Sequence, residues 1–317
     1  MNKDKDFLGT EPVGKLMFRL AIPTITAQLI NMLYNIIDRI YIGHIPGNGA
    51  LALTGVGVCM PLIMIISAFA ALVGGGGAPH ASIAMGKNDL NTAEHILGNC
   101  FFLQILISII LTVILLFGNR TFLLAFGASE NTIEYAVNYM NIYAVGTIFV
   151  QLTLGMNMFI TTQGFAKTGM LSVLIGAVMN IVLDPLFIFV FGLGIKGAAI
   201  ATIISQTLSA AFVLYFLHYK AEYRIRFLSK TELTSCGEDA KNIVSLGTAG
   251  FIMQLTNSLV TICANNVLSV TGGDVYISVM TIISSVRQMV ETPIYAITEG
   301  SSPIISYNYG ARRPQKV

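Results

Sequence analysis

The sequence predicts an all-α membrane protein, and three observations support this prediction. The chain of 317 residues is 54% hydrophobic and 11% charged, with a mean hydropathy of +0.73, whereas soluble proteins carry about 25% charged residues. Eight apolar stretches are long enough to cross a bilayer as helices, which takes ~20 residues each. Basic residues are concentrated in alternate loops. The net charge of +2 gives no indication of nucleic-acid binding.

Turn-forming sequences such as GHIPGNG, GGGGAP, FGLGIKG and VTGGD separate the apolar stretches. The eight predicted spans are 17–43, 49–73, 93–118, 132–159, 168–191, 196–218, 242–268 and 276–304. The longest polar segment, 219–241, divides them into a set of six and a set of two.

The loop charges predict an orientation. With the N-terminus in the cytoplasm, 14 of the 18 lysines and arginines lie in cytoplasmic segments. Only Arg120 and Lys196 then lie outside, while Arg39 and Arg287 lie in or near the predicted spans. Because basic residues accumulate on the cytoplasmic side of membrane proteins, a cytoplasmic N-terminus is expected.

Two stretches near the start of the chain recur near its end. LAIPTITAQLINML at 20–33 resembles LGTAGFIMQLTNSL at 246–259, a shift of 226 residues. GGAPHASIAMG at 76–86 resembles GSSPIISYNYG at 300–310, a shift of 224. The first two and the last two spans are therefore predicted to be copies. The copies are an even number of spans apart, so the repeats are parallel, as in transporters built from two facing bundles.

The repeat predicts a domain organisation. A second copy as long as the first would continue past residue 317, so we expect about four further helices to be missing from a complete two-lobe protein. The expected parts are a complete six-helix N-terminal lobe at 1–218, a cytoplasmic linker at 219–241, and the first two helices of a truncated second lobe at 242–317.

Acidic residues inside the predicted spans are the strongest functional candidates. A carboxylate at the bilayer centre costs ~2.5–3.5 kcal/mol on insertion scales. Asp38, Asp184 and Glu291 are the candidates for such a position, and Glu299 is a fourth nearer the end of the last span. Asn180 precedes Asp184 by one helical turn, and Pro185 removes a backbone donor directly after it. Carboxylate, amide and hydroxyl oxygens suit a hard cation such as Na⁺, and the same acids suit a proton. The residues favour neither ion over the other.

A structural alternative exists for each acid. Asp38 could pair with Arg39 or with the helix end at Gly43, and Asp184 could lie near the outer interface before FGLG. The last span presents a polar face that is either a site for a cationic substrate or a local ion pair between Arg287 and Glu291. That face is formed by Ser284, Gln288, Glu291, Tyr295 and Glu299.

Other motifs exclude some kinds of site. GGGG at 74–77 lacks the Lys–Ser/Thr ending of a phosphate-binding loop, so it is predicted to end the second span and to provide close packing or a hinge. The four cysteines have no paired spacing and the four histidines form no cluster. Neither a disulfide framework nor a transition-metal site is therefore expected.

Three stretches together resemble the multidrug and toxic compound extrusion (MATE) family, and within it the MepA-like bacterial branch. They are LAIPTITAQLINMLYNIIDRIYIGHI, NIVLDPLFIFVFGLGIKGAAIAT and ITEGSSPIISYNYGA. The resemblance covers essentially the whole chain but only about two thirds of a family member. It implies a bundle of twelve helices in two lobes, of which this chain holds the first lobe and the start of the second.

The resemblance also implies residue roles. In prokaryotic members an Asp, an Asn, a second Asp and a Thr of the first lobe bind H⁺ or Na⁺. These match Asp38, Asn180, Asp184 and Thr202, and Na⁺ would be held by the first three. Another branch uses a glutamate in the seventh helix, where this chain has Thr256 and Asn257, so the first-lobe site is favoured. A substrate cavity is expected at Asn31, Asn35, Gln254, Asn257, Gln288, Glu291 and Tyr295.

The function implied by the resemblance is cation-coupled export of amphipathic organic cations by alternating access. Such a transporter is a monomer in the bacterial inner membrane, contacts the lipid bilayer, and uses H⁺ or Na⁺ but no other cofactor. Three rivals remain: a lipid-linked oligosaccharide or polysaccharide flippase, a membrane scaffold that does not transport, and an intramembrane aspartyl protease using Asp38 and Asp184. The flippase would need more basic helices, and the protease motifs differ from IIDR and VLDP.

Overall fold

A computed structural model describes residues 7–226 and 230–316, and every regular element within those ranges is helical. The prediction of an all-α protein is confirmed. The helices are α1 (Phe7–Thr10), α2 (Val13–Gly43), α3 (Gly49–Gly86), α4 (Leu90–Ala125), α5 (Ile133–Val145), α6 (Thr147–Thr162), α7 (Ala166–Pro185), α8 (Ile195–Tyr219) and α9 (Lys230–Gly310). A π-helical turn, Leu186–Val190, extends α7, and a 3₁₀ turn, Pro314–Lys316, follows α9.

Six of the described helices are long and apolar enough to cross a membrane, and a bent pair, α5 and α6, would make seven. The last two predicted spans both lie in α9, which is broken at Gly273 (φ 64°, ψ −157°). That left-handed conformation is accessible to glycine and strained for other residues, and it reverses the chain within the predicted turn VTGGD. The chain is thus a multi-pass membrane protein, while the number of eight spans stays a prediction.

The predicted span over 132–159 is formed by two helices, α5 and α6. The chain bends by 60° between α5 and α6, at Gly146. A side chain at Gly146 would overlap Ile203 of α8, so the bend brings the backbone against that helix. The carbonyl of Ala144 accepts a hydrogen bond from Thr112 at 2.9 Å. An acceptor that the bend exposes is thus satisfied by a neighbouring helix.

The prediction that the second span ends before GGGG is wrong, because α3 continues through these glycines to Gly86. Helix packing explains the difference. A Cβ atom on Gly74 would lie 2.7 Å from the carbonyl oxygen of Gly155, and one on Gly77 would overlap Cys100. Small residues at a helix interface let backbones approach closely. The glycines therefore provide close packing, one of the two roles expected for them.

The contacts between α3 and α9 are reciprocal under the shift of 224 residues found in the sequence. A Cβ on Gly86 would meet the carbonyl oxygen of Tyr307, and one on Gly310 would meet that of Ile83, at 2.2 and 2.1 Å. Equivalent positions also meet each other, since the hydroxyls of Thr54 and Ser278 are hydrogen bonded and Gly57 packs on Thr281. Reciprocal contacts are typical of a two-fold relation between copies.

Polar contacts join the two halves of the chain, 7–226 and 230–316, at both ends of the bundle. At the end that holds α1, the N-terminal end, Asn308 donates to the carbonyl of Leu8 at 3.0 Å and the Lys316 amine donates to that of Gly9 at 2.8 Å. At the opposite end, the Ser129 hydroxyl donates to the carboxylate of Asp274 at 3.0 Å. The halves are therefore held at two levels, on either side of the membrane-spanning region.

The segment after α8 is fastened to the N-terminal end by Gln163, which is 1% exposed. Its side-chain oxygen accepts hydrogen bonds from the backbone amides of Glu222 at 2.8 Å and Tyr223 at 3.3 Å. Tyr223 is fully buried against Thr162, and burial raises the pKa of Tyr223, so its hydroxyl stays protonated. One glutamine thus fixes the start of the link to the second half.

Replacing Gln163 with methionine is expected to loosen that link, because the amide of Tyr223 loses its acceptor. Losing a buried hydrogen bond in this way costs about 1–3 kcal/mol. The measurement is the rate of trypsin cleavage after Lys220 and Arg224 in detergent, which should rise severalfold. Asn131→Ala, an exposed change at the opposite end, is the control. Equal cleavage rates in both variants would show that Gln163 does not hold the segment.

Candidate cation site

Asp184 and Asn180 lie one turn apart on α7, and their side chains interact as the spacing predicts. The Asn180 amide donates to one carboxylate oxygen of Asp184 at 3.2 Å. Neither residue is exposed by more than 1%. Since Pro185 ends the regular helix, the chain passes directly into the wider turn Leu186–Val190. A buried acid and an irregular helix end therefore occur together.

Asp38 of α2 faces this pair from the neighbouring helix. It is buried, and its carboxyl group lies within hydrogen-bonding range of that of Asp184. The helices α2 and α7 pack along each other, which brings together two acids that are 146 positions apart in the sequence. Two carboxylates in contact repel each other when both are ionised. The pair is thus stable only when a positive partner is shared between them.

Thr202 of α8 lies on the other side of Asn180, with 3.5 Å between the amide nitrogen and the threonine hydroxyl oxygen. The hydroxyl donates to the carbonyl of Ala198 at 3.0 Å, so its oxygen acts as an acceptor toward the Asn180 amide. Tyr139 of α5 lies close to the same hydroxyl. The structure therefore brings together all four residues of the predicted cation site, contributed by three helices.

Three oxygens of the site have no hydrogen-bond donor among the described residues. They belong to Asp38, Asn180 and Asp184, and all three are buried. Leaving a buried acceptor unsatisfied costs about 1–3 kcal/mol, so three at one place form an acceptor-rich site that suits a positive ligand. A proton shared by the acids or a Na⁺ ion, which prefers oxygen ligands, fits this donor set.

A small cavity adjoins the site within the first half of the chain. It has a volume of about 60 Å³ and is lined partly by Asn31, Tyr34, Asn180, Thr202 and Gln206. Such a volume holds a few water molecules or ions, whereas sites for drug-sized molecules measure about 300–1,000 Å³. The cavity thus has room for a small cation and not for a drug-sized molecule, and Asn31, which lines it, lies beside the cation site.

The other residues of the expected substrate cavity are spread along the molecule. Asn35 donates to the carbonyl of Asn31 at 2.7 Å and so extends the polar face of α2. In the second half, Gln254 and Gln288 are half-buried and Asn257 is exposed. The side chain of Tyr295 lies outside the part of the chain that the structure describes. The role of these residues in substrate binding stays a prediction.

Two acids of the polar face of the last predicted span contact other side chains. Arg287 and Glu291 approach each other to 3.8 Å, with their side chains 52% and 46% exposed, which is the local ion pair that the spacing allowed. Glu299 accepts a hydrogen bond from Gln28 of α2 at 3.0 Å. Glu291 is therefore accessible to a cationic ligand, while Glu299 connects the two halves.

Sequence reasoning missed Tyr139, which is 4% exposed and contacts the site from α5. The only signal in the sequence is the spacing of Tyr135, Tyr139 and Tyr143 at intervals of one turn. The rings of Tyr139 and Tyr143 stack with centroids 6.0 Å apart. Aromatic residues at that spacing are common in apolar helices, so the pattern alone does not indicate a polar role.

The family of the chain follows from a comparison with known proteins. Residues 23–186, which include Asp38, Asn180 and Asp184, match the MatE family over more than half of the chain. The chain belongs to the MATE family. The resemblance carried by the three sequence stretches is thus confirmed, and with it the relationship to MepA. The multidrug export protein MepA of Staphylococcus haemolyticus is 24% identical to this MATE chain over 300 residues, which cover 94% of the chain and 65% of the relative.

Solved MATE structures share the fold. The MATE multidrug transporter DinF-BH superimposes with a TM-score of 0.91 at 29% identity, covering all of this chain and 70% of that one. An outward-facing MATE family transporter of the MOP superfamily gives a TM-score of 0.87 at 25% identity, covering 100% and 69%. The chain therefore spans about two thirds of the length of its relatives.

Proposed function

We propose that this MATE chain carries out cation-coupled export of amphipathic organic cations, with H⁺ or Na⁺ as the coupling ion. The observation that carries the proposal is the pair of buried acids, Asp38 and Asp184, with three unsatisfied oxygens between α2 and α7. Buried oxygen atoms without hydrogen-bond donors are stabilised when a cation or a proton binds among them. These oxygens also lie next to a cavity large enough for a small cation.

Coupling follows from the change in charge at the site. Without a cation, two ionised acids in contact push α2 and α7 apart, and with one they are held together. The cation can shift the conformation only because it binds one arrangement of these helices better than the other. Since linkage is reciprocal, a drug that favours the open arrangement weakens cation binding by the same factor. As the protein opens alternately to the two sides of the membrane, it releases the drug when the coupling cation binds and releases the cation when the drug binds.

The substrate class is proposed from charge and from relatives. The second half presents Glu291 half-exposed, which would attract an organic cation. The similar DinF-BH is named a multidrug transporter, and MepA is named a multidrug export protein. A flippase for anionic lipid-linked sugars would need free basic side chains. Of the two arginines in or near the predicted spans, Arg39 contacts Thr281 and Arg287 contacts Glu291.

The protein is proposed to lie in the bacterial inner membrane as a monomer, with the N-terminal end of the bundle in the cytoplasm. The distribution of basic residues supports this orientation. Membership in a transporter family favours export over proteolysis by the two acids. The scaffold alternative predicts that the chain moves no substrate at all, and the following experiment separates these possibilities.

Export of an ethidium-like cation from vesicles containing the full chain tests the proposal. A proton gradient and a Na⁺ gradient are imposed separately, each with the other dissipated. We expect one of the two gradients to drive export and thereby to name the ion. Absence of export under both gradients, in vesicles shown to contain folded protein, would contradict the proposed function and favour a scaffold.

A further inference from the structure

Arg39 connects the helix of the cation site to the second half of the chain. Its guanidinium donates to the backbone carbonyl of Thr281 on α9 at 3.2 Å and contacts the sulfur of Met60 on α3 at 3.5 Å. Arg39 directly follows Asp38 on α2. The side chain of Arg39 therefore connects the position beside Asp38, a candidate cation ligand, to α3 and α9, which contribute no residue to the cation site.

Thr281 occupies a special position in the contact between the halves. It packs on Gly57, its own equivalent under the shift of 224 residues, one turn from the hydroxyl pair of Thr54 and Ser278. These two pairs, which we call the central contact, lie where the repeat copies meet each other. Arg39 thus binds the second half at the central contact.

The link from Arg39 has no counterpart in the second copy. Under the shift of 226 residues, Asp38 and Arg39 correspond to Ala264 and Asn265. The central contact pairs equivalent positions of the two copies, whereas the acid and the neighbouring arginine occur in the first copy only. The repeat therefore does not account for the contact of Arg39 with Thr281. That contact occurs only in the copy that also carries the acid of the cation site.

The charges around Arg39 make the link sensitive to the site. The guanidinium interacts electrostatically with Asp38 on its own helix and with Tyr139 on α5, and beyond Asp38 lies Asp184 on α7. Two residues that it contacts, Met60 on α3 and Thr281 on α9, are uncharged. A cation at the acids reduces the negative charge that faces Arg39, and a buried guanidinium is costly without such compensation.

We propose that Arg39 is a positioning residue that transmits occupation of the cation site to the central contact between the two halves. The proposal rests on the proposed function. When the site is without its cation, the acids hold Arg39 and the carbonyl of Thr281 keeps α2 docked on α9. When the cation binds, that attraction weakens, and the central contact is released at the end of the bundle opposite α1.

Spin-label distances across the central contact test this inference without relying on transport. Labels on Glu130→Cys and Val270→Cys, both exposed positions at that end, report the separation of the halves once the native cysteines are replaced. The full chain is titrated with H⁺ and, separately, with Na⁺, and the midpoint and amplitude of the distance change are recorded. Arg19→Gln, a matched loss of an arginine from the start of α2, is the control.

Two variants separate charge from hydrogen bonding. Arg39→Gln removes a positive charge beside the acids, so the cation should bind on the order of tenfold more tightly, and the amplitude should fall by at least about half. Arg39→Lys keeps the charge but not the planar fork, so the midpoint should stay within about threefold while the amplitude falls. Arg19→Gln should change neither.

The outcomes distinguish the two proposals. If the unmodified chain responds to the cation and Arg39→Gln has the same midpoint and amplitude, the role of Arg39 is overturned while the cation site stands. If the unmodified chain responds to neither H⁺ nor Na⁺, both the cation coupling and the role of Arg39 are overturned.

Discussion

Replacing Asp184 with asparagine is expected to reduce cation-driven export of an ethidium-like cation by at least about tenfold, since coupling between sites typically amounts to about 5–150-fold in affinity. Asparagine keeps the shape of the side chain and its hydrogen bond with Asn180, but it removes the charge that the cation neutralises. The variant site, with Asp38 as the remaining acid of the pair, then carries the same charge as the two acids with a bound cation, so binding of the cation no longer changes the charge of the site. The measurement is export from vesicles under the gradient that drives the unmodified chain.

A second acid provides the control for that experiment. Glu134→Gln removes a carboxylate from an exposed ion pair with Arg120, a kind of pair that contributes about 0–1 kcal/mol. Its export should equal that of the unmodified chain. Normal export by Asp184→Asn, at equal amounts of folded protein, would show that the buried acids do not couple transport to the cation.

Replacing Gly76 with alanine is expected to lower the stability of the folded chain by about 1–3 kcal/mol or more, as overpacking of a close contact does. The added Cβ would lie 1.9 Å from the carbonyl oxygen of Ile243 and 2.8 Å from the amide nitrogen of Gly247. Both atoms belong to the backbone of α9, so the clash is relieved only if the two helices separate. The measurement is the midpoint of thermal unfolding in detergent.

The adjacent glycine is the matched control. A Cβ on Gly75 meets nothing within 4 Å, and alanine is the better helix former by up to about 1 kcal/mol. Gly75→Ala should therefore be neutral or slightly stabilising. Identical unfolding midpoints for the two variants would contradict the close approach of α3 and α9 at this level.

The cation site could be predicted because its signals are local. An acid in an apolar span is conspicuous, and the turn that separates Asn180 from Asp184 places both on one helix face before any tertiary contact is considered. The resemblance to the MATE family supplied Asp38 and Thr202 as partners. What the sequence could not provide is the contact between α2 and α7, since no spacing relates two positions so far apart.

Helix boundaries were less predictable because tertiary packing decides them. Four consecutive glycines normally interrupt a helix, yet here α3 continues because its neighbours leave no room for side chains at Gly74, Gly76 and Gly77. The bend at Gly146 shows the opposite case, in which one glycine within an apolar stretch breaks the helix against Ile203. The same residue type thus has opposite effects, depending on what lies across the interface.

Contacts of single long side chains were not predictable either. The sequence offered Arg39 only as a local partner for Asp38, but the guanidinium also reaches the carbonyl of Thr281. Tyr139 likewise enters the site from α5, whose pattern is that of an ordinary apolar helix. Such contacts depend on helix rotation and side-chain length, which periodicity does not fix.

Coupled export requires exchange between a small cation and an organic cation, and equilibrium binding measures that exchange most directly. The affinity of the purified full chain for an ethidium-like cation is determined at increasing concentrations of the coupling ion. We expect the affinity to fall about 5–150-fold as the ion saturates its site, and to be insensitive to the ion in Asp184→Asn. An affinity of the unmodified chain that does not change with either H⁺ or Na⁺ would contradict the coupling.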